Sequence, residues 1–310
     1  MVHDVQMDYY ARRLATCSSD HTIKIFDVAN DTHSLVAQLA GHTGPVWQVS
    51  WAHPRFGNII ASCGYDRNVI IWKEQENVKN SWVQIYKYSN HQYSVNSIAW
   101  SPQEYGLCLA CASSDGCVSV IQLNDDETWN VDKFEAHNFG ANSVSWAPAS
   151  SFLMGFSTQP QVRRLVTGGC DCLVKIWVSD LTQLGASQQS GSNWVLEHSL
   201  TGHKDWVRDV QWAPNVGTLN ETIASGSQDG TVYIWTSDNS NQASPSTWSK
   251  QALKPELGET IWRLSWSLTG NILAVSSGDD KVTLWKEAID RKWTCLTSIN
   301  EKKTEQQSSN

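Results

Sequence analysis

Six seven-residue segments of the chain line up without gaps: LATCSSD ending at Asp20, IASCGYD at Asp66, LACASSD at Asp115, LVTGGCD at Asp171, IASGSQD at Asp229 and LAVSSGD at Asp279. Each reads as a short strand running into a turn led by its aspartate. Six positions after each Asp stands Phe26, Trp72, Ile121, Trp177, Trp235 or Trp285, preceded by alternating apolar residues as in TVYIW. Strand, Asp-led turn and strand make a hairpin. A hairpin repeated six times commits the chain to a repeat architecture.

A further strand lies upstream of the hairpins, seen as VWQVSWAHP, VNSIAWSPQ, NSVSWAP, WVRDVQWAP and IWRLSWSLT. A fourth follows downstream, beginning in five units with Trp82, Trp129, Trp194, Trp248 or Trp293. These positions, with Trp47, Trp206 and Trp262, account for all 17 tryptophans, so none is left to mark a separate site. The hairpins close 46, 49, 56, 58 and 50 residues apart, and the excess over the usual repeat of about 40 to 45 residues sits in loops. Segments 149–162, 179–193 and 237–247 are rich in Ser, Gln, Asn and Gly, which cannot bury enough apolar surface to form elements of their own. The spacing predicts an all-β, six-bladed propeller over residues 1–299 as a single domain. Its blades fall near 2–40, 43–89, 92–135, 138–200, 204–254 and 260–299, and a disordered tail covers 300–310.

Composition removes several function classes. The 310 residues carry a net charge of -8 and no cluster of five Lys or Arg, so direct nucleic-acid binding lacks its electrostatic footprint. No apolar run approaches the roughly 18 residues that span a bilayer, and the start lacks a signal-peptide core. The eight cysteines then belong to a reducing compartment. Cys108 and Cys111, three apart in a strand, point to opposite faces, and Cys170 and Cys172 have no matching pair, so no metal site is expected. No cofactor motif is present, and the run Asp125, Asp126, Glu127 reads as a solvated loop.

His42, His91, His137 and His203 each precede an upstream strand and are followed by Asp66, Asp115, Asp171 and Asp229. Between them come Ser62, Cys111, Thr167 and Ser225, then Trp72, Ile121, Trp177 and Trp235. These are the residue types of a catalytic relay, but a relay would have to operate four times over. A structural lock explains the repetition: His bridges the turn Asp and the strand hydroxyl, satisfying buried polar groups that otherwise cost about 1–3 kcal/mol each. The fullest sets are His42, Ser62, Asp66 and Trp72, and His203, Ser225, Asp229 and Trp235. Cys111 and Val275 replace the hydroxyl in two units, as a stability network permits.

The terminal units supply all four of their own strands, so no stray strand remains to fasten a ring. Alternation puts Val5, Met7, Ile23 and Ile25 on apolar faces of the first unit, and Trp262, Leu264, Trp266, Val282 and Leu284 on those of the last. If these faces exposed about 400 Å² of apolar area, the gross loss would be about 10 kcal/mol, comparable to the stability of a domain. Either the first blade packs on the sixth, or a partner covers the gap.

The Gly-His of AGHTGPVWQVSWA and TGHKDWVRDVQWAP, the turn Asp and the closing Trp of QDGTVYIW resemble the WD-repeat family over residues 2–299. The chain departs from the family pattern at Phe26-Asp27, the one aromatic-Asp closure, at Ile121, and at Gly258-Glu259, where Gly-His is expected. Within that family, QMDYYARRLATCSSD, GHTGPVWQVSWAHP and NILAVSSGDDKVTLWKE resemble the small propeller subunit shared by the COPII outer cage and the nuclear-pore Y-complex. Family members carry a short polar lead before HDVQMDYY, so the resemblance implies a start that is either shortened or set at an internal methionine. It also implies an open propeller whose gap takes a seventh blade from a helical-solenoid partner of either assembly. An obligate hetero-oligomer follows, which reaches membranes only through the coat. The implied locations are ER exit sites, COPII vesicles, the nuclear envelope and, through an amino-acid-signalling assembly, lysosomes. The nine interface residues named above are the candidate contacts. A peptide-reading adaptor such as a ubiquitin-ligase substrate receptor is the alternative; it calls for a ring of Arg or aromatic residues at one channel mouth. The candidates Arg67, Arg208 and Arg263 are instead scattered through several strands and loops and read as solvated surface charges, and an enzyme lacks any catalytic motif.

Overall fold

The structure is a computed structural model that describes residues 1–29, 32–149, 162–180, 192–214, 220–238, 247–253, 258–288 and 291–300. The predicted tail beyond Asn300 and most of the three polar loop segments lie outside the described residues. Two compact units divide the chain, Met1–Val144 and Ser145–Asn310.

Every described strand belongs to one of six four-stranded antiparallel sheets, each a meander in chain order. Sheet one is β1 (Val2–Met7), β2 (Arg13–Ser18), β3 (Thr22–Ala29) and β4 (Thr32–Ala40). Sheet two is β5 (Val46–Trp51), β6 (Ile59–Gly64), β7 (Val69–Glu74) and β8 (Trp82–Tyr88). Sheet three is β9 (Val95–Trp100), β10 (Cys108–Ser113), β11 (Cys117–Leu123) and β12 (Trp129–Glu135). Sheet four is β13 (Ala141–Trp146), β14 (Val162–Gly169), β15 (Leu173–Asp180) and β16 (Val195–Thr201). Sheet five is β17 (Val207–Trp212), β18 (Thr222–Ser227), β19 (Val232–Asp238) and β20 (Thr247–Ala252). Sheet six is β21 (Ile261–Trp266), β22 (Ile272–Ser277), β23 (Lys281–Glu287) and β24 (Trp293–Asn300).

The six aspartates head the turns between the second and third strands. The residue after each is left-handed: His21, Arg67, Gly116, Cys172, Gly230 and Asp280 have φ between 59° and 82°. A tight turn that keeps the strands in register needs that conformation, and only two of the six supply it with glycine. The aspartate holds the turn by accepting the amide two residues on, as Asp20 does from Thr22 at 3.0 Å and Asp229 from Thr231 at 2.9 Å.

Apolar alternation gives each sheet two sticky faces, and neighbouring sheets bury them against each other. In the first unit Cys17, Ile23 and Ile25 of sheet one pack on Val46 and Val49 of sheet two. In the second unit Val166 and Ile176 of sheet four pack on Val207 and Val210 of sheet five, whose Val232 and Ile234 meet Ile261 and Leu264 of sheet six. Burying each such side chain contributes about 1.5–3 kcal/mol, so the stability resides in the layers between sheets.

Candidate functional site

Sheet two carries a complete lock. Trp72 donates its indole N–H to Ser62 Oγ at 3.0 Å, Ser62 lies 2.8 Å from His42 Nε2, and His42 Nδ1 lies 3.0 Å from both Asp66 oxygens. Ser62 accepts the indole N–H and has both His42 Nε2 and the Ile70 carbonyl, at 3.4 Å, as further partners, while His42 Nδ1 faces the carboxylate. Burial pushes the Asp66 carboxyl up, but His42, the Asn68 amide group and the Thr43 N–H outweigh it and hold the carboxyl well below the usual range. Sheet five repeats the set, with His203 Nε2 2.7 Å from Ser225 Oγ and Trp235 donating to the same oxygen at 2.8 Å. Its His203 Nδ1 is shared between Thr231 Oγ1 at 3.2 Å and Asp229 at 3.5 Å.

Where the residue types change, the lock changes with them. In sheet three His91 Nδ1 reaches Asp115 at 3.0 Å, but Cys111 and Ile121 offer no hydroxyl or indole, and His91 Nε2 is buried without a hydrogen bond. In sheet four Trp177 donates to Thr167 at 2.9 Å. In sheet six, where Val275 stands at the hydroxyl position, Trp285 turns to Thr283 Oγ1 at 2.8 Å instead. The imidazoles of His42, His91 and His203 are sealed from solvent, so none can meet a substrate.

The first strands of the sheets make a second device, a joint between neighbouring sheets. Aligned on their shared register, β1, β5, β9, β13, β17 and β21 read VHDVQM, VWQVSW, VNSIAW, ANSVSW, VRDVQW and IWRLSW. Residues at positions one and four are buried in the last five strands. The polar side chain at position three accepts the amide of position four in the next sheet. Val49 donates to Asp4 at 3.2 Å, Ile98 to Gln48 at 2.7 Å, Val144 to Ser97 at 3.4 Å and Leu264 to Asp209 at 2.8 Å. Arg13 adds an outer tie between sheets one and two, bonded to Asp27 at 3.2 Å and Glu74 at 2.7 Å. Burial acts against that guanidinium's charge, yet the two carboxylates hold its pKa above the ordinary value. That tie is the use of the unusual Phe26-Asp27 closure.

Sheet one departs from the burial pattern on one face. Val2 is 57% exposed, Val5 52% and Met7 40%, at the positions that are covered in the other five sheets or stacked as Trp.

The WD domain, G-beta repeat family matches the chain six times, over residues 2–27, 33–73, 82–122, 129–178, 194–236 and 252–286. "Protein transport protein sec13" of Emericella nidulans is 49% identical over 310 residues, covering 97% of this chain and 96% of that protein. "Protein transport protein SEC13" of Mycosarcoma maydis is 44% identical over 97% of this chain and 92% of its own length. "Protein SEC13 homolog" of Drosophila melanogaster is 48% identical over 94% of this chain and 79% of its own length. The chain belongs to the Sec13 family of WD-repeat proteins. Its six four-stranded sheets are six propeller blades.

Within this Sec13-family chain, four of the nine expected interface residues are exposed: Val5, Met7, Trp262 and Val282. Trp262 spends its ring on Arg208, whose guanidinium carbon lies 5.2 Å from the ring centre and 5.0 Å from that of Trp206. Leu284 and Trp266 are half-buried. Ile23, Ile25 and Leu264 require correction, because all three are buried between blades. The pairing gives the reason. Val5 lies opposite Thr16 and Met7 opposite Leu14, whereas Ala15 aligns Gln6 with Ile25. The face of Val5 and Met7 therefore carries Leu14 and Phe26, and Ile23 and Ile25 lie on the other. The joint acceptors Asp4, Gln48, Ser97 and Asp209 escaped sequence reading; the recurring apolar-x-polar-apolar core of the first strands was the available signal.

Proposed function

We propose that the chain is a non-catalytic structural subunit of a transport coat that accepts a strand-bearing segment of a larger partner on the Val2, Val5 and Met7 face. The exposed face carries this reading, since a blade flank built like five buried ones calls for a cover. The names of the relatives, protein transport proteins, support the transport role. The resemblance supports helical-solenoid partners in the COPII outer cage, with ER-to-Golgi traffic as the process. It supports the same docking in the nuclear-pore Y-complex and in an amino-acid-signalling assembly at lysosomes. The chain is then an obligate hetero-oligomer on the cytoplasmic face of ER exit sites and vesicles and at the nuclear envelope, held to membranes only through its partners.

The test is affinity capture of the chain with quantitative mass spectrometry, comparing wild type with V5D/M7E. A solenoid protein that accompanies the wild type and drops at least tenfold with the variant is the expected result. Equal recovery from both proteins would place the docking face elsewhere. Ile25→Asp is unsuitable as a probe, because it puts a charge into the core between blades one and two.

A further inference from the structure

Four joints within the chain obey one rule. The position-three side chain of one blade accepts the position-four amide of the next, at 2.7 to 3.4 Å. The acceptors are two carboxylates, a carboxamide and a hydroxyl, so the joint asks for a lone pair on a short side chain and is indifferent to charge. A second contact follows two residues later. Trp51 donates its amide to Gln6 Oε1 at 2.6 Å, and Trp212 to Ser145 Oγ at 3.0 Å.

Strand β1 is built to receive the same contact. β5, β17 and β21 are edge strands whose pairing with the second strand slips between positions one and three; beyond the slip the ladder amides alternate, so those of positions four and six face away from the second strand. The same slip occurs in β1 between Val2 and Asp4. The Val5 and Met7 amides therefore occupy the places from which Val49 and Trp51 donate. Among the described first strands no position-three side chain is left as an acceptor for Val5: Asp4, Gln48, Ser97 and Asp209 are engaged, Ser143 has a contact of its own, and Arg263, at position three of β21, is all donor.

Two details shape the occupant further. Positions one and four press on a small residue of the preceding blade. A Cβ on Gly168 would stand 2.6 Å from Val207 Cγ1, and one on Gly226 would stand 2.5 Å from Ile261 Cγ2. The indoles at position six donate backwards to a main-chain carbonyl, as Trp51 does to Gln6 at 3.1 Å, Trp100 to Ser50 at 3.0 Å and Trp266 to Gln211 at 3.1 Å. Met7 replaces that donor with a thioether, so the occupant meets an apolar contact there and needs no carbonyl aimed at β1.

We infer that the partner strand covering β1 presents an Asp, Asn, Gln or Ser side chain to the Val5 amide, with a Gly or Ala in its neighbouring strand opposite Val2 and Val5. This rests on the reading that a partner covers this face.

The probe is a copy of the fifth blade, residues 203–253, linked ahead of Met1 of the full chain, because that segment carries both Asp209 and Gly226. Three forms are compared by amide exchange at Val5: the unaltered copy, a copy with Asp209→Asn and a copy with Asp209→Ala. The unaltered and Asn forms should slow Val5 exchange about three- to tenfold relative to the Ala form. Equal slowing by all three would leave the covered face standing and overturn the acceptor. Failure of every form to protect β1 would overturn the covered face and the acceptor with it. A second measurement needs no added blade: in the chain itself Asp209→Ala should speed exchange of the Leu264 amide by a similar factor while Asp209→Asn does not. Equal effects of the two substitutions would also overturn the acceptor.

Discussion

Trp72 and Ser62 meet through a single hydrogen bond of 3.0 Å, and the same hydroxyl lies 2.8 Å from His42. One small oxygen thus satisfies two buried nitrogens. Ser62→Ala removes the partner of both at once, and each orphaned group costs about 1–3 kcal/mol. The expected loss is about 2–6 kcal/mol of unfolding free energy, read from urea titration. Ser62→Thr, which keeps the hydroxyl as Thr167 does in blade four, should recover much of it.

Blade three offers the reverse experiment. His91 Nε2 is buried without a partner because Cys111 stands where Ser62 and Ser225 stand in the complete locks. Cys111→Ser supplies a hydroxyl at the right register and should stabilise the protein by about 0.5–1.5 kcal/mol. Cys111→Ala, which removes the thiol without adding a donor, should not stabilise. Equal midpoints for the two variants would show that the histidine is satisfied in some other way.

The lock aspartates make stability fall in acid. Asp66, Asp115 and Asp229 are each pushed up by burial and held down more strongly by their histidine and the amides of the turn, so their folded pKa values lie below the ordinary one. A depressed carboxylate stabilises above its unfolded pKa, near 4, and that contribution disappears as pH falls through the folded value. Urea midpoints should therefore drop steadily below about pH 4. Asp66→Asn, which cannot titrate, should be less stable at pH 7 and show a shallower drop between pH 4 and pH 3; parallel curves for the two proteins would exclude Asp66 as a source of the slope.

The hairpins and the locks were legible in the sequence because their members lie close in the chain and repeat. His42 to Asp66 and Ser62 to Trp72 are contacts inside one unit, and six copies of the turn Asp fix the register. The joints were not, because Asp4 and Val49 meet across 45 residues and the acceptor changes from carboxylate to carboxamide to hydroxyl. Alternation also says which residues share a face without saying which face a neighbour covers. That is why Ile25, fully buried, and Val5, half exposed, were grouped together although the pairing puts them on opposite sides of sheet one.

Arg67 carries the last expectation. It is exposed, directly follows Asp66, and sits at φ 67°, in the slot that Gly116 and Gly230 fill in blades three and five. A residue with a Cβ pays about 1–2 kcal/mol for the left-handed conformation, while glycine loses about 0.5–1 kcal/mol more backbone freedom on folding. The first effect is the larger, so Arg67→Gly should stabilise by about 0.5–1 kcal/mol and raise the melting temperature by about 1–3 °C. Arg67→Ala, which keeps the Cβ and removes only the charge, separates the two contributions. If the alanine variant melts with the glycine one, the gain comes from the guanidinium and the turn is unstrained; if it melts with wild type, the backbone at position 67 is the cause.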